Sequence, residues 1–226
     1  MTTTPNSSPN PTPTVAVVGT GLIGQAWTLV FARAGCVVRI WDGDAAALQR
    51  AREMVGELAN ELQRSGLVDD AGALLSRVQT CEALADALAG VDYVQESLPE
   101  VLSIKQDIYA RMDTLAPAQA VIGSSTSSIP ASAFTETMAG RSRCLVAHPV
   151  NPPYLVPVVE VYLNVATADA PELAALAPRE MRRDKSEEPD DPYRPHRRRR
   201  HHAADQKHET GQRGRIDAQP PCRLAP

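Results

Sequence analysis

Residues 15–24 read Val15-Ala16-Val17-Val18-Gly19-Thr20-Gly21-Leu22-Ile23-Gly24. Four apolar residues in a row predict a short strand buried on both faces. Three glycines follow it directly. A helical stretch then continues through Ala34, and Gly35 is placed to end it in a left-handed turn. A strand that turns through glycines into a helix presents free backbone N–H groups to an anion. Gly19 makes the tight turn, Gly21 lets the backbone approach a pyrophosphate, and Gly24 lets the helix pack against the strand. The bland alternative is a glycine-rich turn without a ligand. Against it stands Asp42, 18 residues past Gly24 at the end of a second apolar strand, Val37–Trp41. A carboxylate there accepts ribose hydroxyls and repels a 2′-phosphate, so NAD is favoured over NADP, with a flavin or another nucleotide as the lesser alternative.

Strand and helix keep alternating beyond this unit. Residues 44–65 form an amphipathic pattern with Leu48, Val55, Leu58 and Leu62 on one stripe, closed by Gly66. Val78 marks a third strand, 82–89 a short helix, and Tyr93–Gln95 a fourth strand. Residues 101–114 predict a helix whose apolar face carries Ile104, Ile108, Met112 and Leu115. Ala120–Gly123 is a fifth strand, Ala131–Met138 a helix behind Pro130, Cys144–Ala147 a sixth strand, and Val156–Tyr162 a further one. This βαβ spacing predicts an α/β, doubly wound, mostly parallel sheet covered by helices on both faces.

Composition adds exclusions. The chain has 226 residues and a net charge of −4. No apolar run reaches the length of a membrane span. Residues 1–14 are rich in Thr, Pro, Ser and Asn and carry no basic residue, so they read as a disordered lead-in rather than a signal or transit peptide. Cys36, Cys81, Cys144 and Cys222 form no CxxC pair. That speaks against a zinc site or a disulfide framework and fits a reducing compartment, the cytoplasm. The acidic globular part gives no electrostatic reason to expect nucleic acid.

Two further constellations sit at strand ends, where open α/β sheets bind ligands. The first is Ser124-Ser125-Thr126-Ser127-Ser128, either a set of substrate-binding hydroxyls or a capping and turn cluster before Ile129-Pro130. The second is His148-Pro149-Val150-Asn151-Pro152-Pro153-Tyr154. His148 is the only histidine before the tail, and Glu160 lies 12 residues later in the apolar run 156–161. A carboxylate inside an apolar strand is costly unless paired, and His148 is the evident partner. An imidazole oriented by a carboxylate is what a general base for alcohol oxidation requires. The alternative is that Glu160 faces solvent on an edge strand.

The runs VAVVGTGLIGQAW (15–27), VQESLPEVLSIKQDIYARMD (94–113), SSTSSIP (124–130) and AHPVNPPYLVPVVEV (147–161) resemble the 3-hydroxyacyl-CoA dehydrogenase family, most closely its lambda-crystallin and L-gulonate 3-dehydrogenase branch. The resemblance covers about residues 15–180 and implies a Rossmann-type NAD-binding domain. It implies that His148 and Glu160 are the catalytic pair, that Ser127 contacts substrate, and that Asn151 lies near the nicotinamide. It further implies cofactor contacts at Leu22, Ile23, Asp42, Glu100 and Lys105. On residues alone, Lys105 on a helix face reads as a solvated charge.

The resemblance stops near Met181. Residues 182–226 hold 12 Lys/Arg and 8 Asp/Glu, with Ile216 and Leu224 as the only large aliphatic residues. This predicts a disordered, charged tail, read as out of frame with the family's helical second domain, which makes its dimer contacts. The run Arg194–His202 reads as a solvated segment, with a polyanion-binding patch as the alternative. The expected organisation is thus a lead-in at 1–14, an NAD-binding domain at 15–181 and a tail at 182–226. The expected function is NAD-dependent oxidation of a small-molecule 3-hydroxy acid, as an acyl-CoA or a free acid such as L-gulonate. A non-catalytic, crystallin-like NAD-binding protein is the competing reading. The helix at 44–65 offers Arg50, Arg52 and Arg64 but no lysine for CoA phosphates, which favours the free acid.

Overall fold

The structure is a computed structural model that describes residues 12–164. The expectations for the lead-in up to residue 11, for residues 165–181 of the NAD-binding domain and for the tail lie outside the described residues.

Seven strands form one sheet in the order β3-β2-β1-β4-β5-β6-β7. β1 (Thr14–Val18) is central, with β2 (Val37–Trp41) and β3 (Val78–Thr80) on one side. β4 (Tyr93–Glu96), β5 (Val121–Ser124), β6 (Cys144–Pro149) and β7 (Val159–Leu163) lie on the other. β1 to β6 are mutually parallel. β7 runs antiparallel to β6, and its register sets Val146 opposite Tyr162 and His148 opposite Glu160. The chain leaves β1 toward β2 and returns to β4 on the other flank, so a crevice opens at the carboxyl ends of β1 and β4.

Alternation along the strands divides the core. Ala16, Val18, Val94, Ile122 and Val146 point to the side covered by α4 (Leu84–Leu88), α5 (Leu102–Leu115) and α6 (Ala131–Thr135). Val17, Val38 and Ile40 point to the side covered by α1 (Leu22–Arg33), α2 (Ala45–Arg64) and α3 (Ala71–Leu75). Fully burying one such aliphatic side chain is worth about 1.5–3 kcal/mol. The stripe of α2 is as expected, with Leu48, Val55 and Leu62 buried and Leu58 packed at the margin. Asp44 caps that helix by accepting from Ala46 N at 2.9 Å, and Gly66 ends it at φ +71°.

The face of α5 is rotated from the expected one. Ile104 and Leu115 are exposed, while Lys105, Ile108, Tyr109 and Met112 are buried. The reason is electrostatic: Lys105 turns inward because Glu96, at the end of β4, is buried with it. A short helix, α3, also stands where no helix is expected from the sequence. Asp70 caps it by accepting from Ala73 N at 2.9 Å. No helix among the described residues is long and apolar enough to cross a membrane.

Candidate functional site

The glycine turn joins β1 to α1 at the crevice. Gly19 adopts φ +96°, and a Cβ there would stand 2.7 Å from the Ser97 carbonyl carbon. A Cβ on Gly24 would stand 1.9 Å from the Gly19 carbonyl oxygen. Gly21 differs, since a Cβ there would meet no atom within 4 Å. Its missing side chain leaves open space rather than relieving a clash. The first amides of α1 have no partner within the helix and face that space with the positive end of the helix dipole.

Gly19–Ile23, Asp42, Asp44, Arg50 and Ser97–Pro99 line a cleft of about 540 Å³ here. That volume suits a small-molecule or cofactor site. Leu22 at its rim is 80% exposed, an apolar surface that a flat ligand would cover, whereas Ile23 packs partly into the core between α1 and α2. An open glycine backbone, a helix N-terminus and a carboxylate at the end of β2 fit a dinucleotide: amides for the pyrophosphate and Asp42 for a ribose.

Asp42 is more committed than expected. Its Oδ2 accepts from Thr20 N at 2.8 Å and Thr20 Oγ1 at 2.9 Å, and its Oδ1 accepts from Asp44 N at 3.0 Å. A carboxylate has about four acceptor positions, so one remains, on Oδ1. Thr20 takes both positions of Oδ2, so a further donor finds room on Oδ1 alone unless the Thr20 hydroxyl turns away.

The ends of β4 and β5 are tied together by buried charge. Lys105 Nζ lies 3.0 Å from both oxygens of Glu96 and 3.6 Å from Glu100 Oε2. Lys105 is 1% exposed, so the solvated charge expected from its helix position is corrected. Glu96 also accepts from Ser124 Oγ at 2.6 Å and from Leu98 N at 2.7 Å. Glu100 Oε1 accepts from Thr126 Oγ1 at 2.5 Å and from Ser127 N, Ser128 N and Ser128 Oγ at 3.1 Å each. Partial burial raises the Glu100 carboxyl, but these hydrogen bonds and nearby Lys105 outweigh it and bring it down to about 2. The serine run therefore has the turn character expected of it. Glu100 gathers its backbone as a turn, while Ser127 remains exposed with its hydroxyl clear of that bond set.

His148 and Glu160 pair across β6 and β7, with Nδ1 and Oε2 3.0 Å apart. The side chains are 31% and 53% exposed, so both expected features of Glu160, a histidine partner and solvent access, coexist. Val146 and Tyr162 lie one step back on the same face, by the strand period of two. With Thr126–Ser132 and Asn164 they line a second cleft of about 300 Å³. Ser127 thus opens onto the sheet face that carries the His148–Glu160 pair. Asn151 stands exposed in the turn after β6, before a cis peptide to Pro152.

The sequence reading passed over Glu96, Gln95 and Ser97 as site residues. Gln95 and Glu96 are polar residues in a strand buried on both faces, which is the same signal of a needed partner that singled out Glu160. No group of three His, Cys, Asp or Glu side chains suited to a metal occurs among the described residues.

Residues 14–177 match the family described as 3-hydroxyacyl-CoA dehydrogenase, NAD binding domain. The L-carnitine dehydrogenase of Streptomyces griseus is 42% identical over 156 residues, 69% of this chain and 46% of that protein. Rabbit (Oryctolagus cuniculus) lambda-crystallin is 36% identical over 159 residues, 69% of this chain and 50% of that protein. The crystal structure of 3-hydroxybutyryl-CoA dehydrogenase from Escherichia coli superposes with a TM-score of 0.66 at 30% identity, over 73% of this chain and 35% of that one. The chain spans about half the length of the curated relatives it matches. It belongs to the 3-hydroxyacyl-CoA dehydrogenase family, whose NAD-binding, Rossmann-type domain it carries.

Proposed function

We propose that the chain takes part in NAD-dependent oxidation of the 3-hydroxyl group of a hydroxy acid, with His148 as general base. The observation that carries this reading is the 3.0 Å bond between His148 Nδ1 and Glu160 Oε2. With Nδ1–H donated to Glu160, Nε2 is left as the acceptor for a substrate hydroxyl proton. Glu160 holds the ring and stabilises the imidazolium that results. The Ser127 hydroxyl orients the substrate hydroxyl, and Asn151 borders the nicotinamide end. Gly19, Gly21, Leu22, Ile23, Gly24 and Asp42 hold the adenosine and pyrophosphate parts. Glu100 and Lys105 act on the cofactor side by fixing the turn at 126–128. When bound, NAD supplies the acceptor for the hydride.

A free hydroxy acid is favoured over a CoA thioester. Of the three arginines of α2, Arg50 pairs with Asp44 at 3.5 Å and Arg64 pairs with Glu61, so two cations are already neutralised. The L-carnitine dehydrogenase relatives are consistent with a substrate of this class. The test is NADH formation by the full chain with L-carnitine, L-gulonate and 3-hydroxybutyryl-CoA. Turnover with a free acid, lost in His148→Gln, supports the reading. Turnover in which His148→Gln is as fast as the wild type overturns it.

A second reading is NAD binding without turnover, as a structural protein. The similarity to a lambda-crystallin, 36% identical over 159 residues, favours it. NAD binding with no NADH formed from any hydroxy acid would establish it. A cytoplasmic location and the division at residue 181 belong to the first reading.

A further inference from the structure

We propose that Ser97 donates a hydrogen bond to an oxygen of the bound dinucleotide, its proton left free for that purpose by the polar groups behind it. This rests on the reading of the glycine-turn cleft as an NAD site.

Counting donors and acceptors leads to it. A serine hydroxyl has one proton and two lone pairs. Ser125 Oγ has three neighbours: Trp27 Nε1 at 3.1 Å, Gln95 Nε2 at 2.8 Å and Ser97 Oγ at 2.9 Å. The indole nitrogen only donates, so it takes one lone pair. The Gln95 amide is oriented from two sides. Its Oε1 accepts from the Tyr93 hydroxyl at 2.6 Å, and its Nε2 faces the Ala147 carbonyl at 3.5 Å. A carbonyl only accepts, so nitrogen belongs on that side. The amide N–H therefore takes the second lone pair of Ser125. The proton of Ser125 is left with one neighbour, Ser97 Oγ. Ser97 accepts it, and the proton of Ser97 has no acceptor among the described residues.

The position of that proton gives it a use. Ser97 lines the cleft with Gly19, Gly21 and Asp42. Its backbone packs so closely under the turn that only glycine fits at position 19. A dinucleotide in this cleft brings phosphate and ribose oxygens, all of them acceptors. Trp27, Gln95 and Ser125 are thus positioning residues, and Ser97 is the donor that reaches the ligand.

The experiment is calorimetric titration of the full chain with NAD, for wild type, Ser97→Ala, Ser97→Thr and Gly21→Ala. Ser97→Ala is expected to bind NAD about five- to tenfold more weakly, the usual worth of one hydrogen bond. Its thermal midpoint without NAD should fall somewhat, because the part-buried Ser125 proton loses its acceptor. Ser97→Thr keeps the hydroxyl and should restore most of the affinity. If Ser97→Ala binds as tightly as wild type while Gly21→Ala loses binding, the role of Ser97 is overturned and the NAD site stands. If the wild type itself does not bind NAD, both fall.

Discussion

His148 and Glu160 sit directly opposite each other on β6 and β7, and their side chains meet at 3.0 Å. The sheet makes this contact almost unavoidable. Directly opposed residues of an antiparallel pair project to the same face with Cβ atoms only about 5 Å apart. The reversal of β7 after five parallel pairings is what brings a carboxylate 12 residues downstream back to the histidine.

Glu160→Gln keeps the size of the side chain but can present an amide N–H to Nδ1 and so favour the wrong imidazole tautomer. The proposed mechanism then expects a fall in kcat of about 10²-fold or more, as in other carboxylate–histidine pairs. NAD affinity, set at the glycine turn, should be unchanged. Steady-state kinetics beside an NAD titration measure both. A variant with wild-type kcat would remove Glu160 from the mechanism.

The glycines separate stability from binding. Gly24→Ala drives a Cβ to 1.9 Å from a backbone oxygen that cannot swing away. It should destabilise the fold by about 1–3 kcal/mol, the range for overpacking, and NAD binding should be lost with it. Gly21→Ala meets nothing within 4 Å and has an ordinary φ of −65°. Its denaturation midpoint should equal that of the wild type, while NAD binding falls at least tenfold because the Cβ stands where the pyrophosphate approaches. Equal effects of the two substitutions on stability would show that the open space at Gly21 is not what the geometry indicates.

Which parts of this were legible in the sequence follows from how each residue interacts. Runs such as Val15–Val18 and Val37–Trp41 announce strands buried on both sides, because only such strands lack polar alternation. The pairing of His148 with Glu160 was readable because an isolated carboxylate in an apolar strand demands a partner. The rotation of α5 was not. Periodicity assigned Ile104 and Leu115 to the core and left Lys105 in water, and only the three-dimensional neighbour Glu96 reverses this. The helix α3 has five residues, too few for a helical period to register. The hydroxyl network of Ser97, Ser125, Gln95 and Trp27 joins residues up to 98 positions apart, a coincidence that no local pattern records.

Lys105 and Glu96 are 1% and 0% exposed, so removing one charge strands the other. Lys105→Met should cost about 3–5 kcal/mol, the range for a broken buried ion pair. Adding Glu96→Gln to it should recover part of that loss, because the remaining group no longer carries a charge. Urea unfolding of the two single variants and the double variant gives the coupling. Strict additivity would mean that the pair does not interact as its distances require.

Glu100 supplies a pH signature. Its carboxyl is brought from the ordinary 4.5 down to about 2 by the Thr126 and Ser128 hydrogen bonds and by Lys105, against the opposing effect of burial. A depressed carboxyl binds its proton more weakly when folded than when unfolded, so stability rises with pH across this interval. The contribution is complete above about pH 4.5 and falls away toward pH 2. Glu100→Gln should therefore lower the thermal midpoint at neutral pH and flatten its decline between those limits. Amide exchange at Ser127 and Ser128, whose N–H groups both end on Glu100 Oε1, should quicken in Glu100→Ala. If midpoint curves for wild type and Glu100→Gln run parallel from pH 5 to 2, Glu100 is not the ionised anchor of that turn.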